Sequence, residues 1–240
     1  MIKNITSVKN PLIMQTAALK TDGTEREFLL EGDKFINDTD PQDIIRIFST
    51  DSELCELYES RGCEVFEVSE NVLSKLSGEN SRSRLIAVVK KHETKRPEKL
   101  LLLDGIQDPG NVGTMIRTAF AFGLGVVCGN GTANPYLPKV VRSTAGAICR
   151  AYVEKADLTS LIPLLKQDGY LICGSALDEN ARAAERTDGK TAVIIGSEGK
   201  GMSKEVSALC DRTYYIPINN VESLNAAVAA GILMYVVSGK

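Results

Sequence analysis

Between Lys190 and Val237 the chain reads first T-A-V-I-I-G-S-E-G-K-G-M-S and then Y-Y-I-P-I-N-N-V-E-S-L-N-A-A-V-A-A-G-I-L-M-Y-V-V. The apolar run Ala192 to Ile195 empties into a loop with glycines at 196, 199 and 201, and a second run, Tyr214 to Ile216, stops at Pro217. Runs this short bounded by glycine and proline are strands. A long apolar segment opened by Ser223 follows, and it predicts a helix over 223–237. Glycine lacks a Cβ and accepts positive φ, so the backbone of such loops can approach a ligand closely. In open α/β sheets ligands sit beyond the carboxyl ends of strands. A pocket at these two strand ends and a pair of ordinary strand-to-helix turns both fit this pattern.

The rest of the chain narrows the chemistry. One histidine among 240 residues, His92 in a charged segment, removes Ser-His-Asp and Cys-His catalysis and nearly all His-ligated metals. The six cysteines, at 55, 63, 128, 149, 173 and 210, contain no C-x-x-C pair, so neither a disulfide framework nor a metal site is expected. The first residues lack an apolar signal core, and the longest apolar stretch, near 226–237, is too short to span a bilayer. The expectation is a cytoplasmic protein with no membrane contact. A net charge of -3 does not advertise nucleic-acid binding, although a local basic patch can serve on an acidic protein.

Short apolar runs at 28–30, 44–48, 65–68 and 85–89 alternate with helical stretches at 11–19, 52–61 and 69–76, which predicts a small α/β unit. Lys90 to Lys99 is polar and contains Pro97, a linker composition. The expected division is a first domain over 1–92, a linker over 93–98 and a second domain over 99–240. In the second domain, strands are expected at 100–103, 124–128, 151–153, 170–173, 193–195 and 214–216, with helices at 112–122, 158–167 and 223–237. Such alternation fits a mostly parallel sheet with helices on both faces.

Three stretches could carry chemistry. In D-G-I-Q-D-P-G-N-V-G-T-M-I-R, from Asp104, Asn111 is placed to cap the following helix, and Arg117 is either a phosphate-gripping side chain or a solvated charge. In G-S-E-G-K-G, Glu198 stands between glycines, either orienting a ligand or merely exposed. In S-L-N, Ser223 and Asn225 stand at a helix mouth as ligand contacts, with Ser223 alternatively a plain N-cap. The dinucleotide fingerprint G-x-G-x-x-G and the Walker A lysine are both absent.

Taken together, N-V-G-x-x-I-R-T-A, G-S-E-G-x-G and I-P-x(5)-S-L-N-x-x-V-A, in that order, resemble the three motifs of the SpoU (TrmH-type) RNA ribose 2′-O-methyltransferases of the SPOUT class. The resemblance covers the chain from about Leu100 to its end. The N-terminal V-K-N-P-L-I and F-L-L-E-G-D-K-F-I also resemble the small ribosomal-protein-like domain with which many members bind substrate. The resemblance implies a SPOUT-type trefoil-knotted sheet that holds S-adenosylmethionine, and a homodimer formed through the C-terminal domain. Carried over, Arg117 is the catalytic arginine, supported by Asn111, Glu198, Ser223 and Asn225. The cofactor lies against Gly174, Ala176, Leu177, Gly196, Gly201, Ile216, Ser223 and Leu224. The segment Ile218 to Glu222 departs from the family pattern, being one residue shorter and without its glycine. Asparagine, which tolerates left-handed backbone, would have to make the turn there.

The implied reaction is methyl transfer to a ribose 2′-hydroxyl, with rRNA favoured over tRNA because of the appended domain. Without a histidine base, Arg117 would act electrostatically on the developing alkoxide. RNA contact is expected from the first domain and the linker, through Arg82, Arg84, Lys90, Lys91, Lys95 and Arg96. A non-catalytic RNA-binding or ribosome-assembly protein of the same fold is the rival from another class. It has no need of Asn111, Arg117, Glu198 and Asn225 together.

Overall fold

The computed structural model describes residues 2–22, 24, 26–78, 83–91, 94–176 and 181–239. Along the chain run β1 (Lys3–Ile5), α1 (Pro11–Asp22), β2 (Glu27–Glu31), α2 (Asp33–Asn37), β3 (Ile44–Ser49), α3 (Ser52–Ser60), β4 (Val65–Val68), α4 (Glu70–Leu76) and β5 (Leu85–Lys90). Then come β6 (Lys99–Asp104), α5 (Pro109–Phe122), β7 (Gly125–Cys128), α6 (Pro138–Ser143), β8 (Val153–Lys155), α7 (Leu158–Gln167) and β9 (Leu171–Ser175). The chain ends with β10 (Arg182–Ala183), β11 (Thr191–Gly196), α8 (Lys204–Ser207), β12 (Arg212–Tyr215) and α9 (Ala226–Ser238). It divides into two units, one of residues 1–92 and 136–149, the other of 93–135 and 150–240.

In the first unit the sheet order is β1-β4-β3-β5-β2, with β5 antiparallel to both β3 and β2. Alternate strand residues such as Leu29, Phe48, Phe66, Ile86 and Val88 bury against Ile13 and Leu19 of α1 and Val72, Leu73 and Leu76 of α4. Segment 136–149 belongs to this unit, although the sequence expectation kept 99–240 together as one domain. Its α6 packs on β2, Tyr136 meets the Phe28 ring at 5.4 Å, and Arg142 pairs at 3.8 Å with the buried carboxylate of Glu31.

The second unit is an all-parallel sheet, β10-β12-β9-β11-β6-β7-β8. The run Leu100 to Leu103 is fully buried, as a central parallel strand covered on both faces requires. One face packs Leu100, Leu102, Ile172 and Ile194 under α7 and α8. On the other, α9 lies on β11 and β6 and packs along α5, which also touches β7. Asp108 caps α5 by accepting the Asn111 N–H at 2.8 Å, Pro109 occupies the first turn, and Gly123 ends the helix at φ 80°. So Asn111 is the third helical residue and not the cap. At α9 the cap is Asn225, whose Oδ1 accepts from Ala227 and Val228 at 2.9 and 3.3 Å, and the helix begins three residues later than the Ser223 reading.

Candidate active site

The site is built on the carboxyl ends of β6 and β11, which run side by side with Gly196 opposite Asp104. At Gly196 a Cβ would overlap the backbone of Gly201 and Met202, so only glycine lets the chain double back here. Ser197 and Gly201 then exchange backbone hydrogen bonds of 3.0 and 2.8 Å, with Gly201 at φ 67°. Glu198, Gly199 and Lys200 form the tip of this closed loop. Asp104, which the sequence did not single out, anchors its far side by accepting the Ser203 N–H at 2.6 Å and the Ser203 hydroxyl at 2.9 Å.

Three residues from three separate motifs meet at that tip. The Asn111 amide donates to Glu198 Oε1, and Asn225 Nδ2 donates to Asn111 Oδ1 at 3.2 Å and to Glu198 Oε1 at 3.5 Å. Because Asp108 takes the Asn111 backbone N–H, and Asn225 Oδ1 is engaged in capping α9, both amides are held in place from behind. A carboxylate gripped by two amides cross-links α5, the 197–201 loop and α9.

Beside this cluster opens a cavity of about 440 Å³, within the range of small-molecule sites. Ala176, Gly196, Gly201, Ile216, Ser223 and Leu224 line it, as does Glu198. Gly174 does not. A Cβ there would fall 2.6 to 2.9 Å from Met202 and Cys210, so its bareness makes room for core packing behind the wall. Leu177 lies outside the described residues. Ala229 and, unnamed by the motifs, Met202, Ile218 and Leu233 complete an apolar floor. In the shortened 218–222 segment Asn220 takes φ 67°, the left-handed turn expected of asparagine.

Arg117 lies on the exposed side of α5 and bonds to no described residue. Six residues from Asn111 along a helix of 3.6 per turn place it about 120° round the axis, away from the amide cluster. The basic stretch reads differently in the structure. Arg84 pairs with Asp51 at 2.8 Å, Lys90 donates to the Gln42 carbonyl, and Lys91 sits 3.5 Å from the Tyr136 ring centre. Arg96 donates to the Tyr152 hydroxyl at 3.2 Å and pairs with Glu154 at 3.1 Å, which raises its already high pKa. These four charges hold the chain on itself; Lys95 is exposed, and Arg82 and His92 lie outside the described residues.

Thiol chemistry has no support here. Burial pushes Cys128 up to about 12 and Cys55 and Cys210 up to about 11, which keeps them protonated. Among the described residues no group of three or more His, Cys, Asp or Glu is arranged to hold a metal, and no helix is long and apolar enough to cross a membrane.

With this geometry established, likeness to known proteins is informative. Residues 98–235 match the profile of the SpoU rRNA Methylase family. The chain is 34% identical to the 23S rRNA (guanosine(2553)-2′-O)-methyltransferase RlmP of Bacillus subtilis, over 99% of this chain and 100% of that one. It is 31% identical to the 23S rRNA (guanosine-2′-O-)-methyltransferase RlmB of Coxiella burnetii, over 82% and 88%. Among solved structures, an AdoMet-bound rRNA methyltransferase from Sinorhizobium meliloti superposes with a TM-score of 0.80 at 25% identity, covering 98% of this chain and 96% of that one. The ordered motifs, the strand-end cavity and these likenesses agree: the chain belongs to the SpoU rRNA methylase family.

Proposed function

We propose that this protein methylates the 2′-hydroxyl of a guanosine ribose in 23S rRNA, with the cavity at Gly196, Ile216 and Leu224 as its cofactor site. Family membership makes the chain an S-adenosylmethionine-dependent RNA ribose methyltransferase; the guanosine and the large-subunit RNA come from the names of both relatives. The observation that carries the site assignment is the adjoining of that cavity to the Asn111–Glu198–Asn225 cluster, since Glu198 belongs to both. The residues fit the group: apolar Leu224, Ile216 and Leu233 suit a purine, while Ser175, Ser197 and Ser223 offer hydroxyls to its polar atoms. A tRNA acceptor is the alternative within the same chemistry.

When bound, S-adenosylmethionine supplies a sulfonium methyl whose S–C bond breaks with its electrons kept by sulfur as the ribose oxygen forms the new C–O bond, the hydroxyl proton passing to water. The chain's own residues orient and polarise. The amide-held Glu198 fixes the loop between the reactants, and Arg117, which faces away from the cluster within one chain, presents its positive charge to the alkoxide and to a neighbouring phosphate across the homodimer assigned below. A guanidinium already carries its proton at neutral pH and so cannot accept the hydroxyl proton itself.

Arg117 is exposed in a single chain, and so is an apolar face of α9. Val228, Ile232 and Tyr235, at helical spacing on α9, are 51%, 38% and 55% exposed, and Tyr235 meets the Phe122 ring of α5 at 6.0 Å. A second copy covering this apolar surface is the homodimer we assign. The trefoil knot belongs to the same reading; it is supported by β12 pairing between β9 and β10, two strands that are consecutive in the chain. The first unit is assigned to RNA binding and the protein to the cytoplasm, where rRNA is made. The test is single-turnover methylation of 23S rRNA by the wild type and by Arg117→Ala. The variant should lose on the order of 10²- to 10³-fold in rate while its affinity for S-adenosylmethionine stays within twofold of the wild type's. Near-normal turnover would remove Arg117 from the mechanism.

A further inference from the structure

The loop 197–201 has a second side. Across from it, Gly105, Ile106 and Gln107, in the turn between β6 and α5, close a separate cavity of about 380 Å³. Ser197, Glu198, Gly199 and Lys200 line this cavity and the larger one alike. A transferase has to bring its two reacting atoms to about 3–3.5 Å, so the acceptor's cavity must share a rim with the donor's. This pair does.

The turn that forms the far wall is held rigidly. Gly105 takes φ 73°, Ile106 is 2% exposed, its N–H donates to the Thr132 hydroxyl at 3.3 Å, and its carbonyl accepts from Ala133 at 2.8 Å. Asp108, the next residue but one, is fixed as the cap of α5. Gln107 therefore stands between two immobilised neighbours, exposed, with its side-chain amide bonded to no described residue. A rigid mount and an unused donor–acceptor pair make a recognition element, because an extruded base is read through hydrogen bonds to its edge. Lys200, also without a described partner, supplies a positive charge at the shared rim for the flanking phosphate.

We propose that this smaller cavity receives the acceptor nucleoside and that Gln107 reads its base through the amide's paired donor and acceptor. The inference rests on the methyltransferase reading above and adds to it the place and a specificity residue for the nucleoside. The experiment compares wild type, Gln107→Ala and the isosteric Gln107→Glu, using a 23S rRNA transcript and labelled S-adenosylmethionine, with cofactor affinity measured in parallel by calorimetry. Expected is a fall of about tenfold to a hundredfold in kcat/KM for RNA in both variants, carried mainly by KM. Cofactor affinity and thermal midpoint should stay unchanged, since Gln107 is exposed and lines only the smaller cavity. Unchanged kcat/KM would overturn the proposal, and so would a parallel loss of cofactor affinity, which would put Gln107 on the donor side. A wild type that binds S-adenosylmethionine but methylates no rRNA would instead sink the parent reading, so the two failures are distinguishable.

Discussion

Gly196 shows how much of the site depends on a missing atom. Its absent side chain lets the backbone of Gly201 and Met202 cross the end of β11, and that crossing sets where Glu198 meets Asn111 and Asn225. Gly196→Ala should therefore destabilise the protein by about 1–3 kcal/mol in urea unfolding, the usual range for forcing extra atoms into a packed position, and weaken cofactor binding as the loop shifts. An alanine variant as stable and as tightly binding as wild type would mean the crossing is slack. Gly174 looks alike in sequence and differs in effect, because a Cβ there would meet movable side chains, Met202 and Cys210, behind the cavity wall.

Between elements, Asp211 is the junction to test. It joins three: Lys166 of α7 pairs with its Oδ1 at 2.6 Å, the Ile172 N–H of β9 donates to Oδ2 at 2.9 Å, and it directly precedes β12. Partial burial works against its ionisation, but the Lys166 and Ile172 hydrogen bonds outweigh it and hold the carboxyl below the usual range. A lowered folded-state pKa means the contribution is present above the unfolded value of about 3.9 and fades as pH falls through the lower folded one. Asp211→Asn should cost under about 1 kcal/mol at neutral pH, because both partners are about a third exposed. The gap to wild type should close below about pH 4; a gap that stayed constant down to pH 2 would show that charge plays no part. Elements of this size were legible where the apolar pattern was strong and local, as at α7, expected and found at 158–167. The start of α9 was misplaced because Ser223 and Asn225 are both good caps, and only the three-dimensional path selects the one whose side chain reaches the 227 and 228 amides. Strands of two or three residues, β1 and β10, carry no periodicity to read. The motif residues Asn111, Glu198 and Asn225 were legible through the family pattern, whereas Asp104, Met202 and Leu233 enter the site by tertiary packing alone.

For the molecule as a whole, the segment 136–149 joins the first unit although it lies within the second in sequence, so the chain passes between the units three times. No local signal marks such a return, because which sheet a short helix covers is decided by packing. The exposed α9 face makes the assembly testable. Ile232→Asp together with Tyr235→Asp should turn a sedimentation dimer into a monomer with little loss of fold, since both side chains already face solvent in one chain. A wild type that sediments as a monomer at micromolar concentration would remove the assigned interface. Methyl transfer to a ribose hydroxyl at the strand-end cavity leaves a chemical signature in the product RNA. The protein is given 23S rRNA and S-adenosylmethionine labelled in its methyl group, and the product RNA is hydrolysed in alkali, which cleaves beside free 2′-hydroxyls and spares methylated ones. The label is expected to remain in an alkali-resistant dinucleotide beginning with guanosine. Label released with mononucleotides would mean that a base is the acceptor, and would contradict transfer to the ribose.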